Sequence, residues 1–566
     1  MLYLDFLRVA SPFIVIAFFT ALALNYFENK PIGLNIGTIA LAWLFSVVFL
    51  ANGVILTSAG VTLYLLLAIG AASKLKYEYM GIKLLAKDFT YIFFQGVKTI
   101  FRDHKFQITF LGVIFLGSLG ISIAILAYTA VLPTNNLFYR VGLVIISTTL
   151  LILSNGPNAR RRRFTTIGLS DNLRHFSTFI VSLFNMVESR EHAVFVDIAP
   201  DPLPLPPFSS DAQTAVRSPA ELPDIVLVQH ESTFDPRIFG LPIDQDVQTL
   251  LSPTEGVGGR LHVDVFGGGS WQTEFAVHTG LSSRSFGANG QYVCHLLEGR
   301  LHHSLALHLR TLGYRTLLVT SGLGTFMNAR RFYKSIGFDE CVFVDEIGAP
   351  FDYKRWRRGY FDDQLYAVAF DRWRRHAPAS QPVMLVINTF MNHVPHTRRF
   401  TGRSDDAARV FAANALAGRG PDEYIEYYAR LAASARYHTE FRSAVAELHR
   451  PVLFAQYGDH QPHLCRGLAG SLLPANSRAI YETFYAIDSL NWPIDRSASP
   501  AGSVLDAVFL STVVLRVGQI PLDSIFAARA SLIEECSKDY FGAISNRKHR
   551  FHRTLVEQGL VMTGQG

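Results

Sequence analysis

Apolar positions along this chain follow two different rhythms. Before residue 156 they form near-continuous runs at 4–26, 34–50, 54–73, 108–132 and 139–153. Each run approaches the ~20 apolar residues that cross a hydrocarbon core, so the pattern predicts an α-helical membrane domain of about five spans. Almost nothing separates the second run from the third, which predicts a tight helical hairpin. The first run is long for a removed signal peptide and shows no small-residue cleavage site. Between the third and fourth runs, 74–105 mixes basic and aromatic residues, as an interfacial segment does. After the fifth come four arginines, 160–163, and then FSTFIVSLFNMV, which is too short to span. A juxtamembrane helix lying on the surface is expected there.

Residues 198–223 are rich in proline and serine and read as a semi-rigid linker. From Asp224 onward the rhythm shortens to bursts: DIVLVQH, HVDVFG, RTLLVT, CVFVD, PVMLVINT and PVLFAQYGDH. Helical stretches such as ARRFYKSIG and EYIEYYARLAASARYHTEFRSAVAELH separate most of them. This alternation predicts an α/β domain whose mostly parallel sheet lies between helices. The expected organisation is a transmembrane domain at 1–155, a juxtamembrane helix and linker at 156–222, a catalytic domain at 223–535 and a C-terminal extension at 536–566.

Composition adds little beyond this. The chain is 49% hydrophobic and 17% charged, and the apolar excess lies almost wholly before residue 156. A net charge of +6 suits a protein beside anionic lipid and equally a solubilising surface; no nucleic-acid partner is expected. The four cysteines (294, 341, 465, 536) include no C-x-x-C pair, which excludes a zinc ribbon, a thioredoxin motif and a dense disulfide framework.

The chemistry gathers at strand ends, where functional residues of parallel sheets collect. DIVLVQH runs into Glu231, PVMLVINT into His393, and PVLFAQYG into Asp459 and His460. Two carboxylates with an imidazole suit a divalent cation, zinc or manganese on ligand grounds. Alone, each has a plainer explanation: an exposed acid, a turn cap, a surface histidine. The segment GGGSWQTEF, 267–275, adds a glycine-rich turn leading into a helix expected to begin near Glu274. Thr273 would then sit at a helix N-terminus, where free amides favour an anion. It is either a simple N-cap or a nucleophile activated by a metal on Glu231, Asp459 and His460.

HES (230–232), WQTEF (271–275), TFMNARRFYKSIGF (325–338), MNHVPH (391–396) and YGDH (457–460) together resemble the membrane-anchored phosphoglycerol and phosphoethanolamine transferases of the alkaline-phosphatase/sulfatase superfamily. The likeness is to the lipoteichoic acid synthase group and to the phosphoglycerol transferases of periplasmic glucans. It implies a metal set of Glu231, Thr273, Asp459 and His460, with Thr273 forming a covalent phospho-intermediate. It also implies that His393, Asn328 and Arg330 contact the transferred group. The implied metal is Mn2+, with Zn2+ or Mg2+ as alternatives. The implied reaction moves a phospho-alcohol head group, phosphoglycerol first, from phosphatidylglycerol or phosphatidylethanolamine to a glycan or lipid-linked acceptor. Phosphoethanolamine transfer to a glycolipid, hydrolysis by a membrane-bound phosphodiesterase or sulfatase-like enzyme, and lipid or glycan binding without catalysis are the rival readings. The family's Phe-Trp-Asn-Arg stretch reads Phe326, Met327, Asn328, Ala329 here, with Arg330 adjacent. No Cys/Ser-x-Pro-x-Arg sulfatase site is found. The resemblance places the protein in the cytoplasmic (inner) membrane as a multi-pass protein with its catalytic domain facing the periplasm or exterior. Arg160–163 and the 74–105 segment then face outward too, against the positive-inside rule, where they could hold anionic lipid.

Overall fold

The structure is a computed structural model that describes residues 2–28, 35–80, 83–91, 120, 136–154, 175–188, 195–205, 219–347, 362–376, 381–397, 421–474, 477–500 and 504–563. It divides into two compact units, Met1–Arg190 and Glu191–Gly566.

The first unit is helical. Its long helices are α1 (Leu2–Glu28), α2 (Ile36–Asn52), α3 (Ile55–Met80), α4 (Leu137–Ser154) and α5 (His175–Glu188). Among the described residues, Ile55–Tyr77 and Leu137–Ser154 are long and apolar enough to cross a membrane, whereas Ile14–Glu28 and Ile36–Asn52 are shorter apolar helices. The expected span at 108–132, residue 120 apart, and the segment 160–163 lie outside the described residues. Phe18, Phe19, Ile145 and Leu153 project outward and exposed; an apolar exterior of this kind suits a lipid surround. Gly53 in the left-handed region ends α2 and donates to Phe49 O at 2.9 Å, which makes the expected hairpin turn into α3. The short apolar helix α5 does not lie on a surface. Phe176, Ile180 and Val181 are fully buried, and the Glu28 carboxylate accepts from the amides of Phe176 (2.8 Å) and Ser177 (3.0 Å). A carboxylate at a helix N-terminus meets both free donors and the positive end of the dipole.

The second unit is built on an eight-stranded sheet: β1 (Asp224–His230), β2 (Val257–His262), β3 (Arg315–Thr320), β4 (Glu340–Phe343), β5 (Val383–Asn388), β6 (Val452–Gly458), β7 (Glu482–Leu490) and β8 (Leu505–Asp506). Their spatial order is β4-β3-β5-β1-β6-β7-β2-β8, and β7 alone runs antiparallel to its neighbours. β1 is buried along its whole length. Its alternate residues serve opposite faces, Ile225 and Leu227 in one apolar cluster and Val226 and Val228 in another. Helices α6 (Ser270–Thr279) and α9 (Ala507–Val517) cover the first face, and α7 (Asp362–His376) and α8 (Pro421–Ala446) the second.

The expected strand HVDVFG is not one. β2 ends at His262, and the pairing residues are the glycine-rich VGGRLH that precedes it. Glycine is needed there because β7 lies close: a Cβ on Gly256 would sit 1.8 Å from Ile487 O, and one on Gly258 2.8 Å from Tyr485 O. Two regions expected to lie outside the catalytic domain also belong to this unit. Residues 195–205 run along helix α10 (Asn546–Glu557), with Ala199 N donating to His549 O (3.1 Å) and Leu203 N to Thr554 Oγ1 (2.8 Å). Phe195 stacks on His552 with ring centroids 4.5 Å apart.

The inner face of α6 carries a pH-sensitive residue. His278 is buried against the edges of Tyr333 and Phe338, and neither ring nitrogen has a hydrogen-bond partner. Burial therefore holds its pKa down, at about 4. A folded-state value below the unfolded one means that the unfolded chain binds the proton first, so stability is lost as pH falls from about 6.5 toward 4. His278 alone contributes about 3 kcal/mol to that loss. Replacing it by Phe should flatten the fall in urea midpoint between pH 7 and 5; an unchanged slope would assign the acid sensitivity to other groups.

Candidate active site

The site is assembled from loops that leave the carboxyl ends of β1 and β6. Glu231 follows β1 and Asp459 follows β6, and these two strands are neighbours in register from Asp224↔Val452 to His230↔Gly458. Gly458 permits the close approach: a Cβ there would lie 1.8 Å from Thr233 O. Ser232, held at φ 49, links the two acids. Its hydroxyl donates to Glu231 Oε1 (2.7 Å) and its amide to Asp459 Oδ1 (2.7 Å). The His460 amide also donates to Asp459 Oδ1, at 2.7 Å.

Glu231, Asp459 and His460 are all buried and present ligand atoms within 4.8 Å of one another. His460 Nε2 lies 3.6 Å from Glu231 Oε1 and 3.5 Å from Asp459 Oδ2. Because His460 Nδ1 meets the Gln461 carbonyl at 3.0 Å, and a carbonyl only accepts, that nitrogen carries the proton and Nε2 offers its lone pair inward. Burial and the Glu231 charge push the Asp459 carboxyl well above its usual range. Burial also opposes the Glu231 charge, but His393, His460 and the two serine hydroxyls outweigh it and hold that carboxyl low. Asp459 Oδ2 has no hydrogen-bond partner. Two buried carboxylates, an inward imidazole lone pair and an orphaned oxygen fit a divalent cation.

The hydroxyl at this set is that of Ser270. Its Oγ lies 3.1 Å from Glu231 Oε2 and 3.3 Å from His460 Nε2. Thr273, expected here, points elsewhere: its buried hydroxyl donates to Asp459 O at 2.7 Å. The physical reason is where the helix starts. Gly267, Gly268 and Gly269 all adopt positive φ (75, 157 and 92), and Gly269 caps α6 so that the first helical residue is Ser270. Thr273 is thus almost a full turn inside. Sequence reading missed both Ser270 and Ser232, although each stands inside a motif already singled out.

The remaining expected residues are placed less uniformly. His393 favours the charged form of Glu231 and opposes that of His460. Its ring stacks on Phe390 (4.3 Å, 12°), and its Nδ1 donates to Val394 O at 2.7 Å, which leaves Nε2 for chemistry. Buried Arg430, paired with Glu426 at 2.7 Å, donates to the carbonyls of His393 (2.8 Å) and Pro395 (2.9 Å) and fixes this loop. Asn328 uses its side-chain amide on Glu298 Oε2 (2.8 Å). Its turn reaches the site through Phe326, whose ring meets Trp271 edge-on at 5.7 Å. Arg330 is engaged by Glu346 and lies over the Phe343 ring.

Residues 223–498 match the sulfatase family. An uncharacterised protein of Haemophilus influenzae is 23% identical over 45% of this chain, and the match spans 46% of that relative, about half its length. The capsular polysaccharide biosynthesis protein RkpI of Rhizobium meliloti is 25% identical over 68% of each chain. Among solved structures, the Streptococcus pyogenes phosphoglycerol transferase GacH in complex with sn-glycerol-1-phosphate is similar at 14% identity and a TM-score of 0.47, covering 64% of this chain and 95% of that one. Residues 223–498 thus form a sulfatase-family domain.

Proposed function

We propose that the protein is a membrane-anchored, metal-dependent phosphotransferase that moves a phospho-alcohol head group, phosphoglycerol first, from a membrane phospholipid to a hydroxyl of a cell-envelope glycan. The observation that carries this reading is one hydroxyl, Ser270 Oγ, at the N-terminus of a helix and in hydrogen-bond reach of Glu231 and His460, two of the three buried ligand candidates. A divalent cation held by Glu231, Asp459 and His460 would lower the pKa of a hydroxyl and neutralise charge on a phosphoryl oxygen.

Ser270 Oγ attacks phosphorus, and its hydrogen bond to Glu231 Oε2 gives the departing proton an acceptor. The free amides at the start of α6 face the phosphoryl oxygens as charge develops. The bond from phosphorus to the diacylglycerol oxygen breaks, and His393 Nε2 supplies the proton that oxygen takes up. An acceptor hydroxyl then attacks the phosphoserine and gives its proton to His393, while the bond from phosphorus to Ser270 Oγ breaks and Oγ takes back the proton held by Glu231. Asn328 and Arg330 join the head group only by leaving Glu298 and Glu346. The membrane unit, with five spans in this reading, keeps the donor's acyl chains in the bilayer throughout and sets the catalytic domain on the outer side.

Incubation with phosphatidylglycerol or phosphatidylethanolamine labelled in the head group, followed by peptide mass spectrometry, tests the proposal. A glycerophosphate mass on the peptide carrying Ser270 is expected. An ethanolamine phosphate there would instead assign phosphoethanolamine transfer, and free head group with no peptide adduct would assign hydrolysis.

A further inference from the structure

A second group of metal-ligating side chains lies at another edge of the sheet and takes no part in the chemistry above. His262 ends β2 and Asp506 ends β8, and the two are direct partners in the parallel register of these strands. Asp539, in the segment before α10, closes the group. All three are buried (4%, 3% and 7% exposed), and their ligand atoms lie within 4.8 Å of one another. β7 separates β2 and β8 from the β1–β6 pair that carries Glu231 and Asp459, so this cluster is distinct from the first.

The carboxylates alone have a plain structural account. Asp506 accepts from the amides of Val508 (3.0 Å) and Tyr540 (2.8 Å), and Asp539 accepts from Gly542 N (2.8 Å) and pairs with Arg478. That account leaves out His262. Its Nε2 is buried, has no hydrogen-bond partner, and points at Asp539 Oδ1 from 3.9 Å, too far for a hydrogen bond. An imidazole nitrogen sealed from water without a partner is costly. Asp264, two residues after His262, is taken up by Arg284 at 3.4 Å and does not reach the free nitrogen.

We propose that His262, Asp506 and Asp539 form a second divalent-cation site, of the zinc or manganese type, structural rather than catalytic. One imidazole nitrogen and two carboxylate oxygens are a usual donor set for such ions, and a cation gives the orphaned Nε2 its partner. The ion fastens β2 to β8 at the point where the chain leaves the sheet for the triple-glycine turn and Ser270. Metal bound here therefore sets the base of the nucleophile loop without touching the substrate.

Metal content per chain decides the matter. The full-length protein in detergent, equilibrated separately with Mn2+ and Zn2+ and freed of loosely held ions, is assayed beside His262→Gln, Asp539→Asn and Glu231→Gln. The expected result is that His262→Gln and Asp539→Asn each lose one equivalent relative to wild type, whereas Glu231→Gln retains that equivalent. The proposal is overturned if Glu231→Gln carries no ion, or if both cluster variants lose none. The Glu231→Gln count decides even where a cluster variant fails to fold, and it stands whether or not the transferase reading holds.

Discussion

Ser270→Ala is expected to lower head-group transfer by at least about 10³-fold, because removal of a nucleophile leaves only the binding and electrostatic contributions. The same variant should carry no phospho-adduct and should still bind metal, since the Glu231, Asp459 and His460 side chains are untouched. Thr273→Val is the informative partner. It removes the bond to Asp459 O, at a cost of about 1 kcal/mol in stability, yet leaves the Ser270 hydroxyl in place. Turnover by Thr273→Val within about tenfold of wild type, beside an inert Ser270→Ala, assigns the nucleophile; the reverse ordering returns the role to Thr273.

Asp459→Asn should uncouple stability from activity. In metal-free protein, burial and the Glu231 charge push the Asp459 carboxyl up. A carboxyl whose folded pKa exceeds its unfolded value destabilises the fold at every pH above the unfolded value. Asparagine keeps an acceptor for the amides of Ser232 and His460 and removes the charge. The variant should therefore melt higher than wild type in chelator, by about 1–3 kcal/mol. It should also lose the thermal shift that Mn2+ gives wild type, together with transfer. A variant that melts lower than wild type in chelator would show that the charge is already compensated within the protein.

These expectations show what could be read from residues alone. β1 was legible because a strand buried on both faces is an unbroken apolar run, and Glu231, Asp459 and His460 were legible because each follows such a run. β2 was not, because its pairing is made by backbone against β7 and its glycines carry no hydrophobic signal. The position of the Thr273 hydroxyl was not legible for a related reason. Nothing in GGGSWQTEF states whether the glycines end before the helix or continue into it; the positive φ of Gly269 settles that, and one turn of helix changes which hydroxyl reaches the acids. Ser232 escaped notice because its contribution depends on a left-handed backbone that composition does not encode.

The clamp between residues 195–205 and α10 bears on the order in which the polypeptide is made. Leu203 and Thr554 exchange hydrogen bonds across 351 positions of sequence. During synthesis, the strap therefore emerges long before its fastening exists. A nascent chain halted short of α10 would hold a complete set of Glu231, Ser270, Asp459 and His460 on a domain whose entry segment is still loose. Attachment of this strap therefore has to wait until α10 has been made.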